Sequence, residues 1–186
     1  MSRTIETITP ELADWIHAQK LFFVATAPAS LDGHVNCSPK GLDSLRVLGP
    51  HRAAYLDHTG SGSETIAHVR ENGRIVLMFC AFTGPPKIVR LHGRGAIVLP
   101  GTTEWKALAK HFPKYDGARS IVTVDVTRIS ESCGLGVPEM EVARERRMLQ
   151  DWAKKRGKKG IREYQELRNA ASIDGLPSLG AEGSNE

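Results

Sequence analysis

Arg74-Ile75-Val76-Leu77-Met78-Phe79-Cys80-Ala81-Phe82 is the most apolar stretch of the 186-residue chain. Strand side chains alternate between faces, so Ile75, Leu77, Phe79 and Ala81 oppose Val76, Met78, Cys80 and Phe82. Both faces are hydrophobic, so both must be covered. A small barrel does this when one face fills the interior and the other meets a second subunit.

The segments on either side support a barrel. Upstream, Glu64 to Asn72 reads as a helix that Gly73 closes in the left-handed conformation. Before it lie a strand at Ala53–Asp57 and the turn Thr59-Gly60-Ser61-Gly62-Ser63. Earlier still, Leu21–Ala27 and His34–Lys40 form a hairpin around Asp32-Gly33. Thr9-Pro10-Glu11 starts a helix that runs to about Lys20. Downstream, Thr83-Gly84-Pro85-Pro86 leads into a long strand, Lys87–Leu99, whose Gly93 and Gly95 mark a bulge or a close backbone approach. A short helix from Thr102 to Phe112 and a strand at Ser120–Ile129 follow. Hairpins and short turns leave little room for repeated βαβ units, so the fold is mainly β (α+β), an antiparallel barrel with peripheral helices. Past Ser130 two helices are expected, Glu139–Gly157 with Val142, Leu149, Trp152 and Ala153 on one stripe, and Ile161 to Asn169. Residues 1–130 then form the barrel domain, 131–180 a helical C-terminal extension packed on it, and 181–186 a disordered tail.

Composition narrows the function classes. No apolar run approaches the roughly 20 residues that span a bilayer, and Met1–Pro10 lacks the pattern of a secretory signal. Three cysteines, Cys37, Cys80 and Cys133, make neither a zinc pattern nor a disulfide framework, and a cytoplasmic location fits them best. Cys37 and Cys80 read as packing residues. The net charge of +4 comes from one tract, since Glu139 to Arg168 holds ten Lys/Arg against six Asp/Glu. A solvated helix end accounts for it, and a nucleic-acid partner is not expected. Seven histidines form no metal-binding helix pair, and the chain has no G-x-S-x-G elbow. No metal site is expected, and no catalytic residue can be named.

Three polar constellations remain. Asn36, Ser38 and Lys40 share one strand face, which offers an amide, a hydroxyl and an ammonium. Gly60-Ser61-Gly62-Ser63-Glu64-Thr65 opens a helix, where unpaired N–H groups and flanking hydroxyls can hold a phosphate without a Walker motif. Arg90, His92 and Arg94 project together and call for an anion, or for a carboxylate such as Asp57 or Glu64. Singly, each also reads as a solvated strand face, a capped helix or an ion-paired row. Together they offer donors to one anionic ligand.

Four blocks in order carry a family resemblance: Asn36-Cys37-Ser38-Pro39-Lys40-Gly41, Tyr55 through Thr65, Met78 through Phe82, and Arg90 through Gly95. The series resembles the pyridoxamine 5'-phosphate oxidase-like proteins, a flavin-binding superfamily, and Asn169 through Pro177 is similar to the ending of one of its branches. The resemblance implies a split antiparallel barrel, bound FMN, and a homodimer with cofactor sites at its interface. It implies hydride transfer between a reduced donor and a small-molecule acceptor. It also leaves open a deazaflavin, or a non-catalytic flavin or haem binder with His58 and His92 as haem ligands. By motif position, Asn36, Ser38, Lys40 and Gly41 would run along the flavin. Asp57, Thr59, Gly60, Ser61, Ser63 and Thr65 would belong to the phosphate turn, with Arg90 as countercharge. The chain departs from true pyridoxamine phosphate oxidases in lacking their C-terminal Arg-x-His motif, so oxidation of that substrate is not expected.

Overall fold

A computed structural model describes residues 2–179. One eight-stranded antiparallel sheet dominates: β1 (Ser2–Ile5), β2 (Phe22–Thr26), β3 (Asn36–Lys40), β4 (Leu45–Gly49), β5 (Arg52–His58), β6 (Arg74–Cys80), β7 (Ile88–Val98) and β8 (Ala118–Ser132). The strand order is β3-β2-β6-β7-β8-β5-β4, with β1 added on β8, and β3 and β4 are the ends of the path. This is a mainly-β split barrel.

The apolar stretch lies near the middle of that path. Ile75, Leu77 and Phe79 are buried with Val24, Tyr55, Leu91 and Val122 in the interior. The opposite face of the same strand stays partly open, with Val76 and Met78 half-buried. β5 is covered on both sides: Ala53 and Tyr55 join the interior, while Ala54 and Leu56 pack with Phe112 and Ile121 in a second, outer cluster. Helix α3 (Thr103–Leu108) and the 3-10 turn Ala109–His111 supply part of that outer cover.

Local signals set the remaining boundaries. Helix α1 (Pro10–Ala18) begins where the Thr9 hydroxyl accepts from Leu12 N–H at 3.3 Å. Helix α2 (Glu64–Asn72) ends at Gly73, with φ +69. Gly93 sits at a bulge opposite β8, where a Cβ would collide with the Asp125 carbonyl. β1, which pairs with Ile129–Ser132, and β4, which pairs with β5, add two strands to those the sequence pattern marks.

The C-terminal region departs from expectation at its start. Residues 139–147 are exposed and not helical, and Val142 is 61% exposed, so it belongs to no buried stripe. Charged residues with no apolar face to bury do not hold a helix. Helix α4 spans Met148–Arg168 but breaks at Gly157, which has φ 66 and ψ 174. Twelve residues of straight helix would separate Trp152 from Tyr164 by about 18 Å. Their rings instead meet edge-on with centroids 5.1 Å apart, so the chain folds back at the glycine. The basic residues from Lys154 to Lys159 face solvent, as expected. Cys80 is buried, but Cys37 is exposed, because β3 ends the sheet path and its outer face is uncovered. Among the described residues no helix is long and apolar enough to cross a membrane. The expected disordered tail, 181–186, lies outside the described residues.

Candidate functional site

β3 pairs with β2 so that Asn36, Ser38 and Lys40 turn inward, while Cys37 and Pro39 turn out. From there the side chains reach the start of α2. Asn36 Nδ2 donates to Thr65 Oγ1 at 3.0 Å and to Thr26 Oγ1 at 3.3 Å, and Ser38 Oγ donates to Asn36 Oδ1 at 2.9 Å. Thr26 Oγ1 also meets the buried His68 Nδ1 at 3.0 Å. The polar strand and the Gly-Ser turn, 29 residues apart in sequence at the Asn36–Thr65 bond, thus wall one cleft of about 360 Å³. That volume lies within the range of small-molecule sites.

Lys40 bonds Asp57 Oδ1 at 2.8 Å, and Arg119 Nε bonds Asp57 Oδ2 at 2.7 Å. Asp57 is fully buried, which pushes its carboxyl toward the neutral form. Two cations and their hydrogen bonds outweigh that and hold it well below the usual carboxylate range. The trio keeps one surplus positive charge beneath the cleft. Next to it, burial lowers the His58 imidazole to about 4, against the opposing pull of Asp57, so His58 is neutral at pH 7. Its ring packs edge-on against Tyr115 with centroids 4.8 Å apart.

The turn itself is arranged for an anion. Among the described residues, nothing accepts from the backbone N–H groups of Ser61, Gly62, Ser63, Glu64 and Thr65, and the first bond of α2 is Ala67 N–H to the Ser63 carbonyl, 3.1 Å. Free N–H groups at a helix start, with the helix dipole behind them, form an anion site. Three of the turn's carbonyls are occupied elsewhere: Asn169 Nδ2 donates to the Gly60 carbonyl at 2.9 Å, Arg119 Nη1 to Gly62 at 2.8 Å, and Ser178 Oγ to Ser63 at 3.2 Å. At Gly60 an added Cβ would meet no protein atom closer than the His58 carbonyl at 4.0 Å, so this backbone is open to a ligand. The Glu64 carboxylate also lines the cleft, and it accepts from Ile173 N–H at 3.2 Å.

Of the residues proposed from sequence, Asn36, Ser38, Lys40, Gly60, Ser61 and Thr65 line this cleft. Asp57 lies under it. Thr59 does not reach it: its hydroxyl donates to the Gly117 carbonyl at 2.8 Å and accepts from Gln165 at 2.7 Å. Ser63 occupies the N-cap position without a capping bond, and its buried hydroxyl faces the Ala171 carbonyl at 3.2 Å. Gly41 lines a separate cavity of about 350 Å³ with His17, Lys20 and Arg46. Arg90 lies three strands from β3, roughly 14 Å at ordinary strand spacing, and bonds Ser132 Oγ at 3.1 Å. It does not line this cleft.

Arg119 was not foreseen. It is the extra residue in a bulge, since Asp57 pairs with Ser120 and His58 with Ala118. A bulge redirects a side chain in a way that strict alternation hides. The usable signal was Asp57, a lone carboxylate closing the apolar run Ala53–Leu56, which required a buried cation. Gln165 and Asn169 were also missed, because their partners lie more than a hundred residues away.

Comparison with known proteins agrees with this architecture. The sequence profile of the family described as pyridoxamine 5'-phosphate oxidase matches residues 8–133. A protein of Aspergillus flavus, the pyridoxamine 5'-phosphate oxidase family protein ustO, is 38% identical over 191 residues, which cover 94% of this chain and 76% of that protein. Among solved structures, HupZ of Group A Streptococcus is 28% identical with a TM-score of 0.54, covering 66% of this chain and 91% of that one. A candidate pyridoxamine 5'-phosphate oxidase of Lactobacillus delbrueckii, 22% identical with a TM-score of 0.51, covers 67% and 94% and shares the fold. With the matched profile spanning most of the barrel, and the fungal relative matching nearly the whole chain, the protein belongs to the pyridoxamine 5'-phosphate oxidase family.

Proposed function

We propose that this protein binds FMN in the cleft between β3 and the start of α2, as a homodimer, and serves as an oxidoreductase acting on a small molecule. The observation that carries the reading is the Asn36–Thr65 bond, which brings a strand of donors against a turn whose N–H groups are unpaired. A phosphate suits the Ser61–Thr65 backbone, with Gly60 leaving room for close approach. The Lys40 ammonium suits a carbonyl oxygen of the isoalloxazine edge and the Ser38 hydroxyl oxygen is able to accept from a ring N–H, while Asn36, whose two amide protons go to Thr65 and Thr26, holds the strand against the turn. FMN held there would supply hydride-transfer chemistry between a reduced donor and a small-molecule acceptor. The protein's own share is to bind and orient the ring, with Lys40 held against the buried Asp57.

The dimer reading rests on an apolar sheet face that the protomer leaves open. In register across the strands run Pro39, Phe23, Met78 and Arg90, and beside them Cys37, Ala25, Val76 and His92. The residues from β2 and β6 on these rows are half-buried, and Cys37 and Pro39 are exposed. Pairing two such faces would cover them, and Arg90 would then face the partner rather than its own cleft. Free thiols at Cys37, Cys80 and Cys133 fit a reducing cytoplasm.

Mass spectrometry of the ligand released from purified protein by mild denaturation tests the cofactor. FMN is the expected mass, and a deazaflavin, haem or no ligand after FMN addition would overturn it. The haem alternative has His58 as its only imidazole lining the cleft, and its Nε2 is enclosed by protein, so iron ligation would require the ring to turn out. Reduction of the bound flavin by NAD(P)H and reoxidation by a panel of acceptors tests catalysis; a flavin inert to all of them would leave a binding protein.

A further inference from the structure

The C-terminal segment meets the barrel mainly at one place. From Gln165 to Ser178 it bonds Thr59 Oγ1, the Gly60 carbonyl, the Ser63 hydroxyl and carbonyl, and the Glu64 carboxylate. It is also ordered internally, by an Ala171–Pro177 bridge and by Ser172 and Leu176 backbone bonding. A second tether holds its outer edge, where Asp174 accepts from the His34 N–H at 2.8 Å and meets His34 Nδ1 at 2.6 Å. Asn169 and Ser178 are fully buried polar residues within this contact. Burying such groups is costly unless they are bonded, and the bonds of Asn169 Nδ2 and Ser178 Oγ to the turn offset part of that cost, while Asn169 Oδ1 is buried without a partner among the described residues.

We propose that Gln165–Ser178 is a clasp that sets the shape of the anion-binding turn, with Asn169 as its central positioning residue; this rests on the phosphate reading of that turn. A short glycine-rich loop can present N–H groups to an anion only while its carbonyls are held the other way. Asn169 holds the Gly60 carbonyl, Ser178 the Ser63 carbonyl, and Gln165 fixes Thr59 just before them. Arg119 holds Gly62 from the barrel side. Two of the three carbonyl anchors thus come from residues beyond the matched family profile, which ends at residue 133. Without the clasp, Gly60 would be free to turn its carbonyl toward the phosphate, which repels it. The clasp therefore acts on ligands that carry the phosphate and is indifferent to the ring.

The test compares FMN with riboflavin, which lacks the phosphate, on Asn169→Leu and on the milder Gln165→Met, using flavin fluorescence on the full chain. Amide hydrogen exchange at Thr59 and Ala67, the bonded N–H groups that bracket the turn, is measured alongside. The expected result is an FMN affinity reduced about tenfold, the effect of one well-placed hydrogen bond, with riboflavin affinity unchanged and faster exchange at both amides. Equal losses for FMN and riboflavin, tracking a lower Tm, would overturn the clasp and leave a general stabilising role. If the unaltered protein binds neither flavin, the FMN reading fails and the clasp is judged on exchange alone. Faster exchange in the variants then supports it, and unchanged exchange overturns it. Should Asn169→Leu not fold, Gln165→Met carries the same comparison.

Discussion

β3 and β7 look alike as sequence. Each sets three donors at alternate positions, Asn36, Ser38 and Lys40 on one, Arg90, His92 and Arg94 on the other. The structure treats them differently. The β3 residues converge with the start of α2 and with a buried carboxylate held between two cations. The β7 residues disperse: Arg90 bonds Ser132, Arg94 bonds the Asn72 carbonyl, and His92 lies opposite Arg128. Burial and the neighbouring Arg128 and Arg90 lower the His92 pKa, which keeps that row from gaining a further charge. More cations in a row do not make a site. What distinguishes β3 is that a second element meets it and that its charge is anchored by a fully buried counterion.

The contrast is sharpest at Arg119. Arg119→Met leaves Asp57 buried with one cation and frees the Gly62 carbonyl, and its expected cost is about 3–5 kcal/mol of stability in denaturant unfolding. A loss under 1 kcal/mol would remove the buried trio from the account. Next in size is acid sensitivity. His58 stays neutral in the fold down to about 4, whereas an unfolded histidine takes a proton near 6.5. The unfolded state then binds more protons as pH falls from 6.5 to 4, so the fold loses stability across that window, by roughly 3 kcal/mol. His58→Asn should flatten that window, as read from Tm against pH. Asp57 acts separately, because its stabilising charge persists below the ordinary carboxylate range and is lost only in stronger acid.

Lys40→Met should weaken FMN by about 10- to 100-fold in a fluorescence titration, the scale of a charge-assisted hydrogen bond. An unchanged affinity would make Lys40 a partner of Asp57 alone. The smallest effects belong to β7. Arg94→Ala should alter stability by less than about 0.5 kcal/mol and leave FMN affinity unchanged. A large loss of FMN there would undo the distinction between the two strands.

Much of this fold was legible because its signals are local. The hydrophobicity of Arg74–Phe82 marked a strand with a face in the core, Gly73 ended α2 in the left-handed conformation, and Thr9-Pro10 began α1. The cleft was half legible for the same reason, since Asn36, Ser38 and Lys40 follow from alternation and the Gly-Ser turn from helix-start chemistry. The remainder depends on distant pairing. Nothing near Arg119 announces a bulge, and Asn169 reaches Gly60 across 109 residues. Thr59 and Ser63 read as ligand hydroxyls because the segment that occupies them arrives from the far end of the chain. Residues 139–147 read as helix because composition favours one, while helix formation needed an apolar surface that is not there.

A crystal structure of the protein grown with FMN tests the central claim most directly. The account expects the phosphate against the backbone N–H groups of Ser61 to Thr65 and the ring along Asn36, Ser38 and Lys40. Flavin bound at the β7 row, or with its phosphate away from the turn, would contradict it.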